Sequence, residues 1–115
     1  MKVVRKSEGT VYEAPFHFNV WSTRKLAAGE GKDSARVSVS LSHFLPNGRV
    51  DMSGTPAPME KVYLVLSGQL YVKSENGSEA TLQPGDIVYF TGTEKREAKV
   101  VGTDPLTIFV CIINV

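Results

Sequence analysis

From Ala35 to Leu45 apolar and polar positions alternate without a slip. Ala35, Val37, Val39, Leu41, His43 and Leu45 fall on one side, and Arg36, Ser38, Ser40, Ser42 and Phe44 on the other. A period of two is that of a strand with unlike faces. The same period runs through Phe16–Trp21, with Phe16, Phe18 and Val20 sharing a face. Val62–Leu66 and Gln69–Lys73 flank Ser67-Gly68, and their Tyr63, Val65, Tyr71 and Val72 suit a pleated, half-buried surface. Ile87–Phe90, Glu94–Val101 and Leu106–Val115 read as further strands, and Gly9–Glu13 as a short edge strand. Asn76-Gly77, Pro84-Gly85-Asp86 and Asp104-Pro105 carry turn chemistry. Pro46-Asn47-Gly48 reads as a strand break. Arg49–Met59, with Pro56 and Pro58, reads as an irregular or edge segment. Ser22–Asp33 reads as a long connection holding at most one helical turn at Thr23–Ala28. No stretch has the period of an amphipathic helix. Many short strands separated by turns predict an all-β sandwich or barrel.

Composition narrows the function classes. At 115 residues the chain is the size of one domain, predicted to span 1–115, with N-terminal strands and a connection over 1–34 and the main body over 35–115. A formal net charge of +1 supplies no field for nucleic acid or an anionic membrane, so neither is expected as a partner. No apolar run reaches the roughly 18 residues of a membrane span. The N-terminus lacks a signal-peptide pattern. The lone cysteine, Cys111, excludes an internal disulfide and reads as a small buried hydrophobe. A cytoplasmic location is the expectation.

Two stretches are more specific. Glu60-Lys61-Val62-Tyr63-Leu64-Val65-Leu66-Ser67-Gly68, preceded by Gly48, resembles the first motif of the cupin superfamily. Leu82-Gln83-Pro84-Gly85-Asp86-Ile87-Val88-Tyr89-Phe90, followed by Gly92, resembles the second. The resemblance covers roughly residues 36 to 113. It implies a double-stranded β-helix, a small jelly-roll barrel that binds a small molecule and often forms homodimers. Cupins that hold a metal usually present His-x-His and a Glu from the first motif and a His from the second. Counted from Gly48, the paired histidine positions fall on Gly54 and Pro56. The Glu falls on Glu60 counted forward from Gly48, or on Lys61 counted back from Gly68. The last His falls on Lys95 or Arg96. Glycine and proline offer no side-chain ligand, and an ammonium is a poor one. The expectation is no metal and no cofactor.

The ionisable residues at those positions are the candidates for chemistry. Lys95 or Arg96, with Lys61, would give the barrel a fixed cation suited to a carboxylate, enolate or phosphate. The competing reading makes Glu94–Glu97 a solvated rim. Glu60 is a candidate acid or base, or a surface carboxylate, and strand parity decides which. His43 is a candidate proton shuttle, against a core or rim residue with one hydrogen bond. Lys95 completes the catalytic candidates. Arg36, Tyr63, Lys61, Arg96 and Tyr89 are the ligand-binding candidates. His17 reads as a surface residue. Three functions stay open: a metal-independent isomerase, epimerase, cyclase or lyase acting on a small polar or anionic compound; a non-catalytic ligand-binding or sensory protein; and a metal protein with a rearranged ligand set that includes His43 and Glu60.

Overall fold

The computed structural model describes residues 1–55 and 57–115. These form nine strands: β1 (Thr10–Tyr12), β2 (His17–Leu26), β3 (Val37–Ser53), β4 (Met59–Ser67), β5 (Leu70–Ser74), β6 (Glu79–Leu82), β7 (Ile87–Phe90), β8 (Arg96–Val100) and β9 (Leu106–Asn114). Among the described residues there is no helix, and so none long and apolar enough to cross a membrane. The strands run in the order β6-β5-β8-β3-β9-β4-β7, with β2 against β3 and β1 against β2. Neighbouring strands are antiparallel.

β3 ties the two halves together. Val37–Phe44 pairs with β9, Arg49–Ser53 pairs with β8, and β2 follows both stretches. One strand of 17 residues therefore passes from one sheet to the other and brings their inner faces together. The result is an all-β double-stranded β-helix. Pro46-Asn47-Gly48, expected to break the strand, bends it instead: Asn47 takes φ 70°. A Cβ on Gly48 would sit 2.8 Å from the carbonyl oxygens of Asn19 and Leu45, so the bend admits no side chain there.

Two further expectations need correcting. Arg49–Ser53 is part of a strand, with Arg49 and Val50 paired to both β2 and β8 and Ser53 to β8, and only the residues after Ser53 leave the sheet. Pro58 lies just outside β4 and costs no ladder bond, while Pro56 lies outside the described residues. Ser22–Leu26 is not part of a connection but the end of β2, where pairing with Leu41 and Ser40 of β3 overrides weak local propensity.

The core gathers Phe44, Val65, Leu70, Val72, Leu82, Phe90, Leu106 and Ile108, all nearly inaccessible. Burying each large side chain there stabilises the fold by about 1.5–3 kcal/mol. Gly68 turns the chain from β4 of one sheet into β5 of the other, at φ 83°. Any Cβ at that corner would lie 2.5 Å from the Pro105 carbonyl oxygen. The apolar packing fills one end of the barrel and leaves the other end open.

Candidate functional site

The open end is a cavity of about 270 Å³. Its apolar wall comes from Phe44, Val50, Ile108, Val110 and Ile112, which alternate inward along β3 and β9. The polar groups come mainly from β2, β3, β4 and β8. Ser22 and Ser42 face each other across the β2–β3 pair and share a hydrogen bond of 2.8 Å. Thus the serine face of β3 points inward at Ser40 and Ser42, and Val37, Val39, Leu41 and His43 point outward.

Parity settles the two ambiguous pairs. On β4, Lys61, Tyr63 and Val65 are buried, so Glu60 faces out. On β8, Arg96 and Ala98 are buried, so Lys95 and Glu97 face away from the cavity. Lys61 is only 6 % exposed and Arg96 only 8 %, and both line the cavity. Arg96 is anchored from below. Its Nε–H donates to the Tyr63 hydroxyl at 2.9 Å, and Nη1 donates to the Ser53 carbonyl at 2.9 Å and the Ser53 hydroxyl at 3.1 Å. Nη2 makes no bond to a described residue, so two of the five guanidinium donors are left for a ligand. Lys61 likewise bonds to no described residue, and no side-chain nitrogen or oxygen among those residues is both sealed from solvent and unpaired. Its ammonium therefore opens onto the cavity.

The field is strongly one-signed. No carboxylate is found among the described lining residues. Loss of hydration on burial, and then the neighbouring Arg96 charge, push the Lys61 pKa down to about 8. Two cations held side by side without a counter-ion form a site that gains most from receiving an anion.

One lining residue went unnoticed in the alternation pattern. His17 was expected on the surface, opposite Phe16 and Phe18. A bulge at Asn19 (φ 55°) shifts the β2 register between Phe18 and Val20 and exchanges the two faces. Phe18 then pairs with Arg49 on the outside, where the guanidinium lies 4.3 Å from the ring centre, and His17 pairs with the inward Val50. The ring lines the cavity with Nδ1 2.7 Å from the Pro15 carbonyl oxygen. Burial, then Arg96 and Lys61, hold the imidazole pKa below its usual value against the opposing Pro15 bond. Asparagine's tolerance of positive φ is the one signal that would have flagged the bulge.

The remaining candidates lie elsewhere. Glu60 accepts a 2.7 Å hydrogen bond from the Tyr89 hydroxyl on the outer surface, and the bond raises the Tyr89 pKa. His43 stacks on Trp21 with ring centres 5.2 Å apart and contacts Thr107 Oγ1 at 3.3 Å, also outside. Lys95 is exposed beside Gly54, and Arg36 is exposed before β3. Of the eight predicted residues the cavity gathers Lys61, Tyr63 and Arg96, and not Glu60, Lys95, His43, Arg36 or Tyr89. Cys111 is half-buried on the outward side of β9.

A divalent metal of the kind this barrel often holds does not fit the donor set. Among the described residues no three His, Cys, Asp or Glu side chains converge. Two of the expected ligand positions hold the inward cations Lys61 and Arg96, a third is Gly54, and these would repel or fail to bind a metal ion.

Comparison with known proteins agrees with the architecture. Residues 43–113 match the cupin domain family. No curated protein sequence matches the chain. Among solved structures, a predicted oxalate decarboxylase from Thermotoga maritima is 19% identical with a TM-score of 0.83, over 99% of this chain and 100% of that one. The polyketide cyclase RemF from Streptomyces resistomycificus is 16% identical with a TM-score of 0.79, over 98% of this chain and 79% of that one. A cupin-superfamily sugar phosphate isomerase from Silicibacter pomeroyi is 19% identical with a TM-score of 0.67, and this chain spans 60% of its length.

Proposed function

Because the chain belongs to the cupin domain family, we propose that its barrel binds a small organic anion and promotes proton transfer on it without a metal, as an isomerase, epimerase, cyclase or lyase would. The supporting observation is the pair of buried cations, Lys61 and Arg96, aimed into one cavity with no described carboxylate beside them. Arg96 grips the carboxylate or phosphate through Nη2, and its bonds to Tyr63 and Ser53 fix the guanidinium plane. Lys61 places a second positive charge where an enolate oxygen would develop. The apolar wall from β3 and β9 receives the carbon skeleton. Solved neighbours named as a polyketide cyclase and a sugar phosphate isomerase share this kind of barrel.

The test is isothermal titration with a panel of small mono- and dicarboxylates and phosphate esters. At least one is expected to bind, and Arg96→Gln should weaken it 100-fold or more, the value of a lost charge-assisted pair. Binding by no member, or binding indifferent to Arg96→Gln, would defeat the reading. Turnover of a bound anion separates the enzyme from a sensory protein, in which the same site binds and nothing forms.

The outer face suits a homodimer. Val62, Leu64 and Leu66 of β4 adjoin Ile87 and Tyr89 of β7, and Leu66, Ile87 and Tyr89 are exposed. Such a strip on an outer sheet face is what a two-fold contact between copies would cover. Sedimentation should give a dimer that Ile87→Glu dissociates.

A further inference from the structure

The cavity holds a group that the anion site does not use. His17 stands on its wall, in a piece of backbone built at a cost. Phe16, just before it, takes φ 64°, a conformation that bulky residues rarely adopt, and Asn19 just after takes φ 55°. The Phe16 conformation is clamped by the Asp51 N–H, which donates to the Phe16 carbonyl at 2.9 Å. Phe16 itself remains 60 % exposed while lining the rim, so its own burial does not explain the strain. What the strained turn and the bulge together achieve is to bring the imidazole from the outer face to the inner one.

The hydrogen bond then decides the tautomer. A carbonyl oxygen has no proton to give, so the Nδ1 that lies 2.7 Å from the Pro15 oxygen must carry the hydrogen. In the neutral ring Nε2 is left with the lone pair. The charged groups that bear on this ring are Arg96 from β8 and Lys61 from β4, and both oppose its protonation. The ionisable hydroxyls on the same wall are Tyr12 from β1 and Tyr63 from β4. On β3, Arg49 and Asp51 form an exposed pair with each other. No described carboxylate lines the cavity to serve as a rival base.

We propose that His17 is the proton acceptor of this pocket, and that the ligand is an anion bearing a C–H bond next to a carbonyl, as in a 2-oxo acid. This rests on the anion-binding reading above. The Nε2 lone pair takes the proton: the C–H bond breaks, an N–H bond forms, and the C–H electron pair becomes the C=C bond of an enolate whose oxygen carries the charge. Lys61 and Arg96 face that charge. The imidazolium then returns its proton from the same side, to the same carbon or at the neighbouring position, and the ring is neutral again. No oxidant, reductant or second substrate enters.

Two measurements test it on the full chain. The first needs no ligand: long-range ¹H–¹⁵N NMR at pH 7 resolves the two histidines of the sequence, with His43→Gln assigning them. A neutral Nδ1–H ring is expected for His17, and an Nε2–H ring or an imidazolium overturns the proposal. The second follows deuterium uptake at C3 of pyruvate, 2-oxobutyrate and 2-oxoglutarate in D₂O, with each probe's affinity measured alongside. His17→Asn keeps an N–H for the Pro15 carbonyl and lacks the base. It should lower exchange about 100-fold or more, in the range of general-base catalysis, while affinity stays within about threefold. Exchange at the wild-type rate in His17→Asn, or a probe that binds wild type without exchanging, overturns the role of His17 and leaves the anion site standing. Failure of all three probes to bind overturns the 2-oxo acid proposal, while the anion site stands or falls by the wider titration panel.

Discussion

The two faces of β3 and β4 carry opposite chemistry, and not in the usual arrangement. Facing the barrel are Ser40, Ser42, Lys61 and Tyr63, while facing outward are Val39, Leu41, Val62 and Leu64. A strand usually turns its apolar side inward. Here the apolar interior is supplied by Val65, Leu70, Leu82 and Leu106 at one end of the barrel, and the other end keeps its polar groups, backed by Phe44 and Ile108, for a cavity. The contrast teaches that alternation marks two faces and does not say which one is buried. It also predicts that changes inside and outside the barrel will differ in kind.

The largest effect should come from inside. Arg96→Gln should cost about 100-fold or more in anion affinity, as set out above. Lys61→Met should cost roughly tenfold or more in affinity and yet stabilise the fold. Burial pushes the folded-state pKa of Lys61 down to about 8 from the ordinary 10.5, so the unfolded chain binds this proton more tightly. The penalty is fully present below pH 8 and fades as pH rises from 8 towards 10.5. At 1.36 kcal/mol per pKa unit it is on the order of 3 kcal/mol, an upper bound because the cavity admits water. Thermal melts at pH 7 should therefore show Lys61→Met above wild type, with the gap closing by pH 10. A destabilised Lys61→Met would refute the placement of this ammonium in a poorly hydrated site. In wild type, anion affinity should fall as pH rises through 8, where Lys61 loses its charge.

Smaller effects follow. Tyr63→Phe removes the acceptor of the Arg96 Nε–H bond and should cost about 1–2 kcal/mol in chemical denaturation, with a few-fold loss of affinity as the guanidinium loosens. The smallest effects belong to the outer face. Glu60→Gln and His43→Ala should change anion affinity less than twofold, because Glu60 meets Tyr89 and His43 meets Trp21, both away from the cavity. Equal sensitivity of the two faces in titration calorimetry would abolish the comparison.

Much of this was legible in the chain. The period of two, the turns at Gly68, Gly77 and Gly85, and the two motif stretches imply an all-β barrel, and the positive φ of all three glycines agrees with their turns. That histidine is missing from the ligand positions is likewise visible by inspection. The choice between Glu60 and Lys61 was not, because counts from opposite ends differ by one residue and a one-residue slip exchanges faces. Nor was the inward turn of His17, which depends on a bulge at Asn19 and a strained Phe16 that only pairing with β3 can hold. The extent of β3 escaped for a related reason: Asn47 and Gly48 look like a stop when read alone, yet between two sheets they make a corner.

The sequence by itself determined which residue types were present at each position, the strand periodicity and the turns, since these follow from local preference and covalent order, and the resemblance of its two motif stretches implied the class of barrel. Only the tertiary structure decided which side of each strand is inside. That choice is made by long-range pairing, where a single bulge or bend inverts every side chain beyond it. The cationic cavity exists because Lys61 and Arg96, far apart along the chain, end on the same side of that closure.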